Sequence, residues 1–257
     1  MSPTLILTYH AIEAGPPPLC VEKDLFARHL AVLEDSGAEA VTISELADRL
    51  RAGRSTDDAV AITFDDGFAS VARVAAPMLT ERGLKATAFC VAGHLGGRND
   101  WSSQPAGAPR RELATGEELA ALAAEGFEIG SHGMEHLPLK DNSDEVLRRE
   151  LLGSKEALGE VVGRPVRSLA YPYGVVPGHA ARKLVESSYS AACTARISSA
   201  GADDDPLALP RVDAHYLRNP ELLRRALGGS LGPYLLLRRL GANARRVVRK
   251  DYLEQPA

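Results

Sequence analysis

Apolar runs and stretches with helical spacing alternate along this chain from its first residues. Thr4 to Tyr9 is an apolar run that stops on His10, and a Gly-Pro-Pro-Pro loop follows at 15–18. Val21 to Ser36 repeats at helical spacing, with Leu25, Phe26, His29, Leu30 and Leu33 on one side, and Gly37 stands where a helix stop belongs. Ala40 to Ile43 predicts a short strand, and Ser44 caps a helix from Glu45 to Arg51 that Gly53 closes. Ala59 to Ile62 is the next strand, running into Thr63-Phe64-Asp65-Asp66-Gly67. Beyond it the pattern predicts helices over 69–82, 115–124, 144–158 and 179–187, and strands over 85–91, 127–130, 166–170, 190–194 and 207–212.

Strands and helices joined by short connections are the pattern of a parallel sheet covered by helices. No fixed-period repeat and no linker divides the chain. Its 257 residues are the normal length of one α/β barrel, and 45% hydrophobic with 25% charged residues supplies an ample core. A formal net charge of −4 gives no reason for a polyanionic partner, so no nucleic acid is expected. Cys20, Cys90 and Cys193 form no Cys-x-x-Cys pair, which argues against a disulfide framework and a thiolate zinc site. Met1-Ser2-Pro3-Thr4 has no basic segment ahead of an apolar core, and the late uncharged stretch Ala226 to Leu237 has 12 residues broken by Gly and Pro. The expectation is a cytoplasmic protein without a membrane span.

Four strands end on chemically capable residues: His10, Asp65-Asp66, His132 with His136 beyond it, and the Tyr171-Pro172-Tyr173-Gly174 turn. A parallel barrel gathers the C-terminal ends of its strands at one face, so these residues are expected to meet. Two successive carboxylates at a strand end can aim in different directions, one at a metal and one at a proton. His132-Gly133-Met134-Glu135-His136 sets two imidazoles on one face if the segment coils into a helical turn. Two histidines and a carboxylate make a metal set with open positions, and Asp66 is the natural third ligand.

Taken together, Thr63 to Gly67, Ser131-His132 with His136, and Tyr171 to Gly174 resemble the polysaccharide deacetylase family. This is carbohydrate esterase family four, with the nodulation-type deacetylase homology domain. The motifs occur in the family's order over residues 60–175. Leu7-Thr8-Tyr9-His10 is similar to the opening of a circularly permuted subgroup that includes poly-N-acetylglucosamine deacetylases, extending the resemblance over 4–215. The resemblance implies a single distorted α/β barrel of about seven parallel strands, circularly permuted, over 1–215. Residues 216–257 then form a basic helical extension. It also implies a divalent ion on Asp66, His132 and His136, zinc first, with cobalt, nickel and manganese as alternatives. Asp65 becomes the general base, His10 the general acid, and the backbone N–H of Tyr173 a donor to the oxyanion. Trp101, Tyr171 and Tyr173 are assigned to substrate contact.

The sequence departs from the family at one important position. The third motif usually carries an arginine two residues before its proline, tethering the base; here that residue is Ala170. Arg211 and Arg167 are the candidate replacements, and Arg211 is preferred because it ends the last predicted strand. The family's aspartate-tryptophan motif is not evident, and Asp213 and Trp101 are its candidate stand-ins.

The reaction expected is hydrolysis of an N-acetyl group on an amino sugar in a polysaccharide, an oligosaccharide or a lipid-linked precursor. Metal-activated water attacks the carbonyl, Asp65 takes its proton, and His10 protonates the leaving amine. Two alternatives stay open: a deacylase or amidohydrolase of a small non-polysaccharide substrate, and a catalytically silent glycan-binding barrel resting on the change at Ala170. Residues 216–250 hold nine Lys/Arg against one acid, Glu221, with leucines between them. That composition fits a helix packed on the barrel or peripheral docking on an anionic membrane.

Overall fold

The computed structural model describes residues 4–104, 107–176 and 178–248. Strands β1 (Leu5–Tyr9), β2 (Glu39–Val41), β3 (Ala59–Phe64), β4 (Thr87–Cys90), β5 (Glu128–Ser131), β6 (Ser168–Ala170), β7 (Ala191–Cys193) and β8 (Val212–Asp213) form one sheet. Their order is β7-β6-β5-β4-β3-β1-β8, with β2 beside β3, and these strands pair in parallel throughout. Helices α1 (Lys23–Ser36), α2 (Ile43–Arg51), α3 (Ala76–Thr80), α4 (Gly116–Ala124), α5 (Asp144–Arg148), α6 (Ser154–Val162) and α7 (His179–Ser188) run between strands. Two further helices, α8 (Pro220–Leu227) and α9 (Gly232–Val248), follow β8. The result is a curled, distorted α/β half-barrel: the alternation of periods predicts its parallel sheet covered by helices, and the family resemblance implies its distortion.

The distortion has a local origin. On one side of β3, β2 pairs along Ala59 to Ala61 and β4 along Thr63 and Phe64, so the sheet splits where β2 ends. The start of α2 fills that split. Ile43 N–H donates to Thr87 Oγ1 at 3.0 Å and Ser44 N–H to Glu128 Oε2 at 3.0 Å. Thr42, not the expected Ser44, caps α2 through a capping box with Glu45, while the Ser44 hydroxyl is committed to Glu128. The outer edges of the sheet are joined by one extended segment. Leu209 pairs with Cys193 of β7, and Val212 and Asp213 pair with Leu7 and Thr8 of β1. The strand expected over 207–212 is therefore divided between two neighbours, and only its end is regular.

Side-chain alternation decides which residues reach the inside. Leu5, Leu7 and Tyr9 of β1, and Val60, Ile62 and Phe64 of β3, lie in the larger core with Phe26 and Leu30 of α1. Ile6, Ala59 and Ala61 lie in a smaller inner core with Phe89, Ala170 and Leu209. Continuing the period of two puts Thr8 and His10, and Thr63 and Asp65, on the inner side towards the strands' C-terminal ends. The interior thus turns from apolar to polar along its axis. His29 of α1, expected to be structural or at the surface, is buried: it accepts from the Tyr9 hydroxyl (2.8 Å) and donates to Leu217 O (3.0 Å). Burial holds it near pKa 4, so it is a neutral structural imidazole.

Helix α9 packs on the barrel by one face. Leu235 is buried, the Tyr234 hydroxyl donates to Tyr216 O (2.8 Å), and Arg238 lies over the rings of Tyr216 and Tyr234. Of the expected basic extension, Arg249, Lys250 and residues 251–257 lie outside the described residues, as do the side chains of Arg245 and Arg246. Among the described residues no helix is long and apolar enough to cross a membrane.

Candidate active site

Asp65 follows β3 directly, and its N–H is taken by Tyr9 O at 2.9 Å, so the inward series of β3 carries its carboxylate into the barrel. Arg211 meets it there in a two-pronged pair, Nη1 to Oδ1 and Nη2 to Oδ2, both at 2.7 Å. The guanidinium is itself fixed by Thr194 O (3.1 Å), Thr63 Oγ1 (3.2 Å) and the face of Phe89. Burial alone would raise the Asp65 pKa; Arg211 and His132 outweigh it and hold the carboxyl below its ordinary range. The other candidate cation, Arg167, pairs with Asp48 at the surface. Ala170 is fully buried in the inner core, and its carbonyl accepts from His132 Nδ1 at 2.8 Å.

Asp66 turns the other way because its backbone is left-handed, with φ 71°. An aspartate tolerates that conformation better than most residues, so two successive carboxylates can face one cavity. Asp66 Oδ1 lies 3.4 Å from His132 Nε2 and 3.5 Å from His136 Nε2, and the two Nε2 atoms are 3.2 Å apart. A tetrahedral ion bound at about 2.0–2.1 Å sets its ligand atoms about 3.3 Å apart, so the three donors fit a metal. The bond from His132 Nδ1–H to Ala170 O leaves the Nε2 lone pair for that ion. Burial and the neighbouring His132 push His136 down to about 3, while for His132 the Asp65 and Asp66 carboxylates overcome burial and raise the pKa. Two close imidazole nitrogens with a carboxylate beside them form a natural cation site, and the donor set is that of a divalent metal.

The two histidines do not share a helical turn, as the i, i+4 spacing suggested. The segment is an irregular loop in which His136 has φ 57° and Gly133 φ 86°. Glu150 holds that loop together. Its carboxylate accepts from the backbone N–H groups of Met134 (3.1 Å), Glu135 (3.0 Å) and Leu137 (3.4 Å). Ser131 Oγ takes the N–H of Gly133 at 3.1 Å, and a Cβ at Gly133 would stand 2.7 Å from Glu150 Oε2. Glu150 sits in a π turn, Arg149–Gly153, between α5 and α6. Sequence reading missed it. The available signal was a carboxylate placed on the apolar face of Leu147, Leu151 and Leu158.

The remaining predicted residues border one cavity of about 670 Å³, lined among others by His10, Trp101, Tyr171, Tyr173 and Asp213. His10 Nδ1 is buried and has no hydrogen-bond partner among the described residues. Asp213, half-buried, lines the same cavity; desolvation raises its pKa, and His10 is the main group opposing that rise. Tyr173 has φ 57°, rests its ring 4.7 Å from His136 and donates its hydroxyl to Ser103 O at 2.8 Å. Trp101 is buried with its ring 4.4 Å from His136, where it braces that ligand. Tyr171 is fully buried and its hydroxyl donates to Leu207 O (2.9 Å), so it shapes the cavity wall. The three cysteines are buried and free.

A metal site, an ionised carboxylate held by a cation and an unpartnered histidine nitrogen on one cavity are the parts of a metal-dependent amide hydrolase. Comparison with known proteins agrees with that chemistry. YxkH of Bacillus subtilis (strain 168), which carries a polysaccharide deacetylase name, is 27% identical over 208 residues, covering 80% of this chain and 70% of that protein. The poly-beta-1,6-N-acetyl-D-glucosamine N-deacetylase of Staphylococcus epidermidis is 22% identical over 193 residues, 73% of this chain and 65% of that protein. The structure of the Streptococcus pyogenes deacetylase PplD in complex with acetate superposes with a TM-score of 0.70 at 25% identity, covering 82% of this chain and 92% of that one. The profile of the family described as polysaccharide deacetylase matches residues 52–192, more than half of the chain. The protein belongs to the polysaccharide deacetylase family.

Proposed function

We propose that the protein hydrolyses the N-acetyl group of an amino sugar, releasing acetate and leaving a free amine. The observation that carries this reading is the Asp65–Arg211 pair standing beside the Asp66, His132 and His136 donors at one cavity. A divalent ion on those donors supplies Lewis acidity to water and to the acetamide carbonyl. Asp65, kept ionised by Arg211, accepts the proton of the attacking water. His10 gives a proton to the departing nitrogen, which cannot leave as an anion at neutral pH. Asp213 balances the charge of the protonated imidazole, and the backbone N–H of Tyr173 is the donor to the developing oxyanion.

The acetate bound to PplD supports the choice of an acetyl group. A nitrogen-rich donor set with tetrahedral spacing favours zinc. The histidine at the end of β1 and the likeness to the Staphylococcus epidermidis enzyme favour the permuted subgroup and N-acetylglucosamine as the sugar. Residues 1–215 are then the catalytic barrel and 216–257 an accessory extension. The silent-barrel alternative rested on Ala170, and Arg211 supplies a cation to Asp65 in its place. Acetate release from N-acetylglucosamine oligomers by zinc-loaded protein tests the reading, and absence of release from oligomeric or lipid-linked N-acetyl sugars counts against it.

A further inference from the structure

We infer that α9 docks on the surface of an anionic phospholipid membrane, at the edge of the catalytic cavity. The large hydrophobic side chains that stand exposed among the described residues are Val176, Leu236, Leu237 and Leu240, at 45%, 51%, 68% and 56%. Three of the four lie on α9. The helix holds the barrel by its Tyr234 and Leu235 face and turns these leucines to solvent. Exposed apolar side chains grouped on one helix face mark an interaction surface rather than random exposure.

The face adjoins the active site. Leu236 and Arg239 line an apolar groove with Ile197, Leu231 and Leu235, and Arg239 and Ile197 also line the catalytic cavity. Val176 stands on the wall of that same cavity. The helix that carries these leucines therefore stands at the edge of the catalytic cavity.

Charge identifies the occupant. Residues 222–250 contain eight Lys/Arg and no acid, although the whole chain has a net charge of −4. Arg239 has no ion-pair partner among the described residues, and Arg238 is held over the rings of Tyr216 and Tyr234. Aliphatic side chains flanked by cations suit insertion among acyl chains beneath anionic headgroups. The exposed apolar set is purely aliphatic, whereas protein interfaces concentrate their binding energy in aromatic anchors. The inference adds to the proposed reaction the place where substrate is met. It is read without turnover, so either can fail alone.

The test is co-sedimentation of the full chain with phosphatidylglycerol vesicles and with phosphatidylcholine vesicles. Binding is expected to phosphatidylglycerol, to weaken with salt, and to be marginal on phosphatidylcholine. The double variant Leu237→Ser, Leu240→Ser should lose on the order of tenfold in partitioning while its circular dichroism stays unchanged. Three results overturn the inference: no binding to phosphatidylglycerol vesicles, undiminished binding by the variant, or a dimer lost in the variant without any vesicle binding. The last assigns the face to a second copy of the chain.

Discussion

Arg211 grips Asp65 through two hydrogen bonds of 2.7 Å, although 146 positions of sequence separate the two residues. The family's third motif places the tethering arginine near β6, whereas here the cation comes from the segment that joins the sheet's outer edges. Asp65 is thus held by the closure of the barrel itself, so the proposed base and the fold share one contact.

Removing that guanidinium leaves a buried carboxylate alone. Arg211→Ala is expected to destabilise the protein by about 3–5 kcal/mol, and Arg211→Lys by less, since an ammonium keeps the charge although it cannot hold both oxygens at once. Denaturant titration measures both. An Arg211→Ala midpoint equal to wild type would show that the pair contributes nothing to folding.

The same pair sets an acid limit. Burial raises the Asp65 pKa, but Arg211 and His132 together bring the folded value below the ordinary one. A depressed folded pKa gives stability that is complete above the unfolded value of about 3.9 and is lost as pH falls through the folded value. Unfolding midpoints followed downward from about pH 5 should fall less steeply in Asp65→Asn than in wild type. Equal slopes would assign the acid sensitivity to other groups.

Metal binding should appear as stability. An ion that binds only the folded chain contributes about 2.7 kcal/mol at a hundredfold excess over its Kd. Zinc is expected to raise the melting temperature, a chelator to reverse the rise, and His136→Ala to abolish it. A rise of equal size in His136→Ala would place the ion elsewhere.

Glu150 is expected to tune that affinity from behind the ligands. Glu150→Ala strands the N–H groups of Met134, Glu135 and Leu137, and should weaken zinc binding by about 10- to 100-fold. Glu150→Gln keeps an acceptor oxygen and should recover part of the loss. Zinc competition against a chromogenic chelator reads the affinity directly. Unchanged zinc affinity in Glu150→Ala, with only a lower melting temperature, would confine Glu150 to folding.

How much of this was legible in the sequence depends on range. The apolar runs Leu5 to Tyr9 and Ala59 to Phe64 are local signals and end at His10 and Asp65; the inward direction of those side chains follows from the period of two in the folded sheet. The Thr-x-x-Glu capping signature stands at Thr115 and equally at Thr42, two residues before Ser44, the expected cap of α2. The spacing of His132 and His136 correctly paired them but for the wrong reason. A loop wrapped on Glu150 joins them, and a carboxylate 14 residues downstream carries no local mark of that task. Arg211 and Arg167 were separable only by strand position, because which arginine meets Asp65 depends on how the sheet curls. The two readings of the C-terminal helix were not exclusive: α9 packs on the barrel by one face and exposes leucines on another.

The most direct measurement is acetate release by zinc-loaded wild type and Asp65→Asn from N-acetylglucosamine oligomers, with zinc affinity measured on both. Asparagine keeps the shape of Asp65 but cannot take a proton. The prediction is release by wild type, a loss of about 10²- to 10⁴-fold in Asp65→Asn, and zinc affinity retained in the variant. Equal rates in the two proteins, or no acetate from zinc-loaded wild type on any oligomeric or lipid-linked N-acetyl sugar, would contradict the account.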